Sequence, residues 1–163
     1  MGSRPSVRKD TEQAYIAGFL DGDGSLMLQL KKRADSTRGV RFMATICLYQ
    51  DSRHDTPLSW IQKRLGCGYV SKRNDGMTEL RVNGFSQVRE ILQTLLPYLR
   101  FKQKQAKLLI RACTMLEKQT LRSAKSKDIR TIVDLLVLIQ NENYMSKTRK
   151  TKEELYQTLG LTP

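Results

Sequence analysis

The alternation of apolar and polar residues over positions 25–48 is the sequence feature that most constrains the fold. Leu26, Leu28 and Leu30 recur at every second position, and the turn-forming segment ADSTRG separates them from a second alternating run at 40–48. Residues at alternate positions of a strand share one face of a sheet. The pattern therefore predicts a long antiparallel hairpin with one apolar face for a core and one polar face.

Helical patterns surround this hairpin and a shorter second one, which turns at Asn74-Asp75-Gly76. Thr11 is the expected N-cap of a first helix, which the glycines of DGDG end, and residues 1–10 are expected to form a flexible segment. Further helices are predicted from Asp55 or Thr56 to Leu65, from Ser86 to Pro97, near 102–117, near 127–140 and after Thr151, where Glu154 completes a capping box.

The order α-β-β-α-β-β-α-α-α predicts an α+β fold, with a four-stranded antiparallel sheet that carries its helices on one face. A single domain is expected over residues 11–163. No apolar run reaches the roughly 18–20 residues that span a bilayer, and the N-terminus lacks an apolar signal region. We therefore expect a soluble, intracellular domain without membrane contact.

The charge balance makes a polyanion the expected partner. The 163 residues include 29 Lys or Arg and 16 Asp or Glu, which gives a formal net charge of +13. Three cysteines without a C-x-x-C pair predict neither a disulfide framework nor a zinc site. The single histidine, His54, excludes a multi-histidine metal site.

The polar face of the predicted sheet carries residue types that read DNA bases. Gln, Arg and Lys hydrogen-bond base edges in the major groove, and a two-stranded ribbon fits that groove. A solvated basic face explains the same residues equally well when they are taken alone. The candidate DNA-contacting residues on this face and its turns are Ser25, Met27, Gln29, Lys31, Arg33, Asp35, Ser36, Arg41, Met43, Cys47, Ser71, Arg73, Glu79 and Arg81.

Two further segments allow a functional and an ordinary interpretation. In Asp21-Gly22-Asp23-Gly24, two carboxylates without a nearby histidine or thiol suit a hard cation such as Mg²⁺ or Ca²⁺. An ordinary turn with a glycine helix cap explains the same four residues. The basic run at 146–150 is either a solvated charge run or a segment that binds DNA phosphates through Lys147, Thr148, Arg149 and Lys150.

The segment YIAGFLDGDG at 15–24, followed by a polar-faced hairpin, resembles the signature of the LAGLIDADG homing endonucleases. GCGYV at 66–70, KQKQA at 102–106 and SKTRKT at 146–151 resemble the single-motif, intron-encoded algal chloroplast members, in the same order. The resemblance implies the α-β-β-α-β-β-α fold of that family with extra C-terminal helices. It also implies an organellar location, in a chloroplast or a mitochondrion.

The resemblance implies roles for individual residues. Asp23 resembles the metal-binding carboxylate, and the Gly22 carbonyl its backbone partner. Gln50 stands where relatives organise active-site water, and Lys102 where a basic residue stabilises charge near the scissile phosphate. His54 stands where relatives often carry Lys or Arg, and Arg53 lies beside it, so the second basic group is left open between these two.

A single signature implies a homodimer. The expected seam between the two chains is formed by Ile16, Ala17, Gly18, Leu20 and Asp21. The implied cofactor is Mg²⁺, with Ca²⁺ binding without efficient cleavage and Mn²⁺ as a substitute. The implied function is site-specific double-strand cleavage of a long pseudo-palindromic DNA target. A non-cleaving nucleic-acid binder on the same fold, either an RNA maturase or a DNA-binding regulator, is the alternative.

Overall fold

A computed structural model describes residues 4–36, 38–143 and 149–162 of the chain. Within these ranges it contains six α-helices, four strands and one 3₁₀ turn, at Ser52–His54. In chain order the elements are α1 (Arg4–Asp23), β1 (Gly24–Lys32), β2 (Val40–Asp51), α2 (Thr56–Leu65), β3 (Tyr69–Lys72), β4 (Met77–Asn83), α3 (Phe85–Leu95), α4 (Gln103–Lys118), α5 (Ser126–Glu142) and α6 (Lys152–Leu159).

The four strands form one sheet in the order β1-β2-β4-β3, and each neighbouring pair is antiparallel. Leu28 of β1 faces Ala44 of β2, and Leu48 of β2 faces Leu80 of β4. This register brings the apolar positions of the alternating runs onto one face, because side chains of directly paired residues point the same way. The α+β fold predicted from the sequence is confirmed.

The helices bury the apolar face of the sheet. Leu26, Phe42 and Ile46 from the strands are at most 2% exposed, and so are Leu20 of α1 and Leu109 of α4. Together with buried residues of the other helices they form one continuous hydrophobic core. No helix in the described ranges is long and apolar enough to cross a bilayer.

The junction of α1 with β1 has no loop. α1 begins at Arg4, seven residues before the expected cap at Thr11, so it covers part of the segment predicted to be flexible. It continues to Asp23, and β1 starts at the next residue. A Cβ atom at Gly24 would lie 2.5 Å from Leu20 Cδ1 and 2.7 Å from the Leu20 carbonyl oxygen. Gly24 therefore lets the chain turn from helix to strand directly against the last turn of α1.

Two predicted caps have different outcomes. Thr151 caps α6 as predicted: its hydroxyl accepts a hydrogen bond from the Glu154 N–H at 3.2 Å, and Glu154 accepts one from the Thr151 N–H at 2.7 Å. Asp55 precedes α2, but its carboxylate accepts a hydrogen bond from the Thr78 hydroxyl at 2.9 Å instead of capping the helix. A contact with β4 has replaced the expected cap.

We predict that Gly24→Ala lowers the free energy of unfolding by about 1–3 kcal/mol, because the added methyl group overlaps backbone atoms of Leu20 that cannot rotate away. Urea denaturation measures the change. Gly22→Ala is the matched control, since a Cβ atom there meets no atom within 4 Å. Equal stability of the two variants would contradict the proposed tight junction.

Candidate functional site

The C-terminal end of α1 meets the segment that leads into α4. Asp23 is the last residue of α1 and is exposed, and Lys102 directly precedes α4. Lys102 Nζ donates a hydrogen bond to the Asp21 carbonyl oxygen at 2.6 Å. Lys102, Asp21 and Gly22 also line one cleft of about 910 Å³ that continues along β1 to Lys32. The fold therefore brings two of the sequence-predicted positions, the α1 end and Lys102, into one place.

The two carboxylates of the α1 end differ in their surroundings. Asp21 Oδ2 accepts a hydrogen bond from the Arg100 N–H at 2.7 Å, and Oδ1 accepts one from the Lys102 N–H at 2.9 Å. Asp23 makes no hydrogen bond or ion pair with any described residue and is exposed. Asp21 thus belongs to the internal structure of the chain, whereas Asp23 is available to an external ligand.

Lys102 is half-buried, and its surroundings act on its charge in two directions. Burial lowers the pKa of Lys102, and the nearby carboxylates of Asp21 and Asp23 partly offset this effect. Such a group places positive charge beside a partly enclosed cleft, where water screens it less than at an open surface. An ammonium group in such surroundings attracts a phosphate more strongly than one at an open surface does.

Asp23 and the Gly22 carbonyl are hard oxygen donors, which fit Mg²⁺ or Ca²⁺ rather than a soft metal. The described part of the chain contains no group of three His, Cys, Asp or Glu side chains that could hold an ion. The Asp23 and Gly22 oxygens of one chain are fewer than a hard cation takes, so they would form only part of a coordination shell. The donor set fits a cation that is shared with a second carboxylate and with phosphate oxygens.

The end of β2 carries Gln50, Asp51 and the turn with Arg53 and His54. Gln50 Oε1 accepts a hydrogen bond from the Asp51 N–H at 2.9 Å, and its NH₂ group donates to no described residue. Asp51 accepts two hydrogen bonds from the Arg53 guanidinium, at 2.9 and 2.7 Å. These contacts hold the pKa of Asp51 well below its usual range.

His54 is exposed at the end of the same turn. Among the described residues, no hydrogen bond or ion pair joins His54 or Gln50 to Asp23. Their predicted roles beside the metal carboxylate remain predictions. The contact with Asp51 engages the Arg53 side chain, so His54 is the basic side chain of this turn that has no ion-pair partner in the described ranges.

The polar face of the sheet carries guanidinium groups that acidic neighbours orient. Arg81 donates two hydrogen bonds to Glu79, both at 3.2 Å, and Glu79 is only 9% exposed. Arg73 donates to Asp75 at 2.7 Å, and its guanidinium lies 5.8 Å from the centre of the Tyr49 ring. These contacts restrict the rotamers of both arginines before any ligand arrives.

Other predicted contact residues lie on or beside this face with varied exposure. Lys31 and Arg41 are exposed and face each other in register. Gln29 has a buried Oε1 that accepts no hydrogen bond from any described residue. Arg33 is paired with Asp35 at 3.0 and 3.1 Å. Five others are half-buried: Ser25, Met27, Ser36, Met43 and Ser71. The Ser25 hydroxyl forms a hydrogen bond with the Tyr49 hydroxyl, and the Ser36 hydroxyl donates to the Val40 carbonyl.

Cys47 lies on the predicted face but is fully buried. Its thiol donates to Glu79 Oε2 at 3.7 Å, and burial raises the pKa of that thiol. The alternation assigned the correct face, but Cys47 lies beneath its neighbours, Glu79 among them, and is not at the surface. Tyr49 was not predicted as a site residue, although it occupies an outward position of the same alternation and contacts Ser25 and Arg73.

The basic run after α5 is described in part. Arg149 donates to the Asn143 carbonyl at 2.6 Å, and Lys150 lines the cleft beside β1. Lys147 and Thr148 lie outside the described residues. Arg149 and Lys150 are exposed, as the prediction that they bind phosphates requires.

The predicted seam residues of α1 lie mostly inside the chain. Ile16, Ala17 and Leu20 are at most 3% exposed and belong to the hydrophobic core. They face the chain's own sheet and are not on a surface that a second chain can reach. Gly18 is exposed, and a Cβ atom there would meet no atom within 4 Å. The exposed face of α1 instead carries Ala14, Tyr15, Gly18 and Gly22.

The chain is similar in sequence to two DNA endonucleases. The chain is 41% identical to the DNA endonuclease I-CvuI of Chlorella vulgaris over 97 residues, which are 60% of either protein. It is 29% identical to the DNA endonuclease I-CreI of Chlamydomonas reinhardtii over 140 residues, 86% of this chain and 83% of that relative. The first match thus spans less than two thirds of the relative's length.

Solved structures extend the similarity to the whole fold. The homing endonuclease I-CvuI in complex with its target in 2 mM Ca matches with a TM-score of 0.81 at 29% identity, covering 96% of this chain and 99% of that one. The archaeal intron-encoded homing endonuclease I-Vdi141I, complexed with DNA, shares the fold with a TM-score of 0.79 at 18% identity, covering 93% and 96%. The family described as LAGLIDADG endonuclease matches residues 16–112. Since this match covers more than half of the sequence and includes the α1 end, the sheet and Lys102, the chain belongs to the LAGLIDADG endonuclease family.

Proposed function

We propose that this protein is a site-specific homing endonuclease that cuts both strands of a long, roughly palindromic DNA target as a homodimer with a divalent cation. The observation that carries the proposal is the free carboxylate of Asp23 beside half-buried Lys102, at the edge of a sheet whose polar face presents oriented guanidinium groups. Membership of an endonuclease family and similarity to structures with DNA support it.

Each part of the site has a task in phosphodiester hydrolysis. Asp23 and the Gly22 carbonyl would hold the cation, which activates water and stabilises the leaving oxygen. Lys102 places positive charge where negative charge develops on the phosphate. The NH₂ group of Gln50 is free to orient water, because its carbonyl oxygen is already engaged with Asp51.

Mg²⁺ is the proposed cofactor. Ca²⁺ is expected to support binding without efficient cleavage, and Mn²⁺ to substitute for Mg²⁺. Both relatives identified by sequence come from algae, which supports an organellar location in a chloroplast or a mitochondrion.

Asp23→Asn is expected to abolish cleavage while leaving DNA affinity nearly unchanged, because the amide loses the charge that attracts a hard cation. The assay uses supercoiled DNA carrying the target, incubated with Mg²⁺ and, separately, with EDTA. The control is Asp134→Asn on α5, where the carboxylate pairs with Lys152 at 2.6 Å far from α1 in sequence. Normal cutting by Asp23→Asn would refute the metal assignment, and binding without any cutting by the wild type would favour the maturase or regulator.

The dimer contact proposed here uses the exposed face of α1. Ala14, Gly18 and Gly22 recur every four residues along this face and are all exposed, so the backbone of a second helix can approach closely. Such an approach would bring two copies of Asp23 together and supply the second carboxylate that the cation requires. Two sheets placed end to end would then span about twenty base pairs, since each strand covers roughly ten base steps.

Gly18→Leu should convert the dimer into a monomer and abolish cleavage with it. The isolated fold tolerates the side chain, because a Cβ atom at Gly18 meets nothing within 4 Å. Sedimentation velocity at micromolar concentration measures the association, and far-UV circular dichroism verifies the fold. Gln157→Leu, at an exposed position of α6, adds the same side chain away from α1 and should stay dimeric. A dimeric Gly18→Leu variant would place the contact elsewhere.

Base reading and phosphate binding are separable by two substitutions. Arg73 is oriented by Asp75 and Tyr49 on the sheet face, so Arg73→Ala should relax specificity at one position of each half-site, by about 1–3 kcal/mol. Lys150 is exposed beside the cleft, so Lys150→Ala should weaken binding to all sequences alike and reduce the salt slope by about one per subunit.

A panel of single-base target variants, measured at several salt concentrations, distinguishes the two effects. A uniform loss for Arg73→Ala together with altered base preference for Lys150→Ala would show that the DNA does not lie on the sheet as proposed.

A further inference from the structure

We propose that Asp21 is the positioning residue for Lys102: it fixes both the backbone and the ammonium group of that lysine at the end of α1. The inference rests on the proposed function only in assigning Lys102 to the scissile phosphate. The contacts that carry it belong to the folded chain itself.

Three hydrogen bonds converge on Asp21 from a segment about eighty residues away. Its two carboxylate oxygens accept from the backbone N–H groups of Arg100 and Lys102, at 2.7 and 2.9 Å. Its carbonyl oxygen accepts from Lys102 Nζ at 2.6 Å. Bonds to a charged acceptor are shorter and stronger than neutral ones. The Asp21 carboxylate thereby holds the Lys102 backbone, and the Asp21 carbonyl oxygen holds the ammonium group.

The Asp21 hydrogen bonds act as a clamp on residues 100–102. This clamped segment has little apolar packing of its own. Phe101, between the two residues whose N–H groups Asp21 binds, is 86% exposed, and Arg100 is exposed as well. Leu99 before the segment and Ala106 after it are fully buried. The chain is therefore anchored on either side of the segment, and within it the Asp21 hydrogen bonds supply the restraint.

The two acids of DGDG consequently have separate tasks. Asp23 is exposed and makes no hydrogen bond or ion pair in the described ranges, which suits a cation ligand. The Asp21 carboxylate has both oxygens occupied by backbone donors and is directed at the segment before α4 rather than at a second chain. Since the two residues end the same helix, Asp21 also fixes where the Lys102 ammonium lies relative to Asp23.

Replacement of Asp21 by asparagine leaves one oxygen to accept one of the two N–H groups and turns an NH₂ group toward the other. Misplacement of a catalytic group by about 1 Å can cost on the order of 100-fold in rate. Asp21→Asn should therefore lower the single-turnover cleavage rate by roughly 10- to 100-fold. The dissociation constant for target DNA should stay nearly unchanged, because both carboxylate oxygens of Asp21 are engaged within the chain.

A double-mutant cycle tests whether Asp21 acts through Lys102. In a Lys102→Ala background, Asp21→Asn should have little further effect on the rate, since the group it positions is gone. Multiplicative effects of the two substitutions would overturn the proposal. The matched control is Glu117→Gln, which removes the Glu117–Arg89 ion pair between α4 and α3 (2.7 Å) and should leave rate and affinity unchanged.

Amide hydrogen exchange gives a readout that does not depend on cleavage. Exchange at one of the two bound N–H groups, that of Arg100 or that of Lys102, should accelerate at least about tenfold in Asp21→Asn, because one protecting hydrogen bond is lost, and exchange at both should stay unchanged in Glu117→Gln. Unchanged exchange in Asp21→Asn would refute the clamp even if the protein cuts DNA. Accelerated exchange in Asp21→Asn, together with a wild-type protein that cuts no DNA, would confirm the clamp and refute the proposed function instead.

Discussion

The contact between Gly24 and the last turn of α1 is the constraint on which the rest of the site depends. Any side chain at this position would overlap Leu20, so only glycine lets β1 start directly after α1. Without a connecting loop, the helix end has a fixed position against the edge of the sheet. Asp21 and Asp23 therefore stand beside the polar face and the segment before α4, and the cleft that contains Lys102 and Gly22 follows from this placement.

The parts of the structure that a local pattern determines were predictable from the sequence. The alternation gave the correct faces for Leu26, Leu28 and Leu30, and the Thr151–Glu154 pair gave the α6 cap. Contacts between distant segments were not predictable. The Asp21 partners lie 79 and 81 residues away, and nothing in the local sequence separates a carboxylate that binds backbone N–H groups from one that binds a cation.

The segment at 15–24 in α1 is a second example of what a local pattern leaves undecided. Small and apolar residues at Ile16, Ala17 and Leu20 are compatible with a helix pair between chains or with packing inside one chain. Burial assigns them to the chain's own core, and the exposed positions one step around the helix carry glycine and alanine. Cys47 is a related case: the alternation predicts its face, but its burial depends on side chains from another strand, such as Glu79 of β4.

The polar face combines two kinds of cation, and under the proposed function the difference bears on how this surface would discriminate between DNA sequences. Arg33, Arg73 and Arg81 each pair with an acid two positions along the chain. Lys31 and Arg41 form no ion pair in the described ranges. A paired guanidinium contributes less to general attraction for phosphate and must exchange its acidic partner for a base edge. That exchange is favourable only where the base offers two acceptors in the right geometry. General affinity would then come from the unpaired cations, and discrimination from the paired ones.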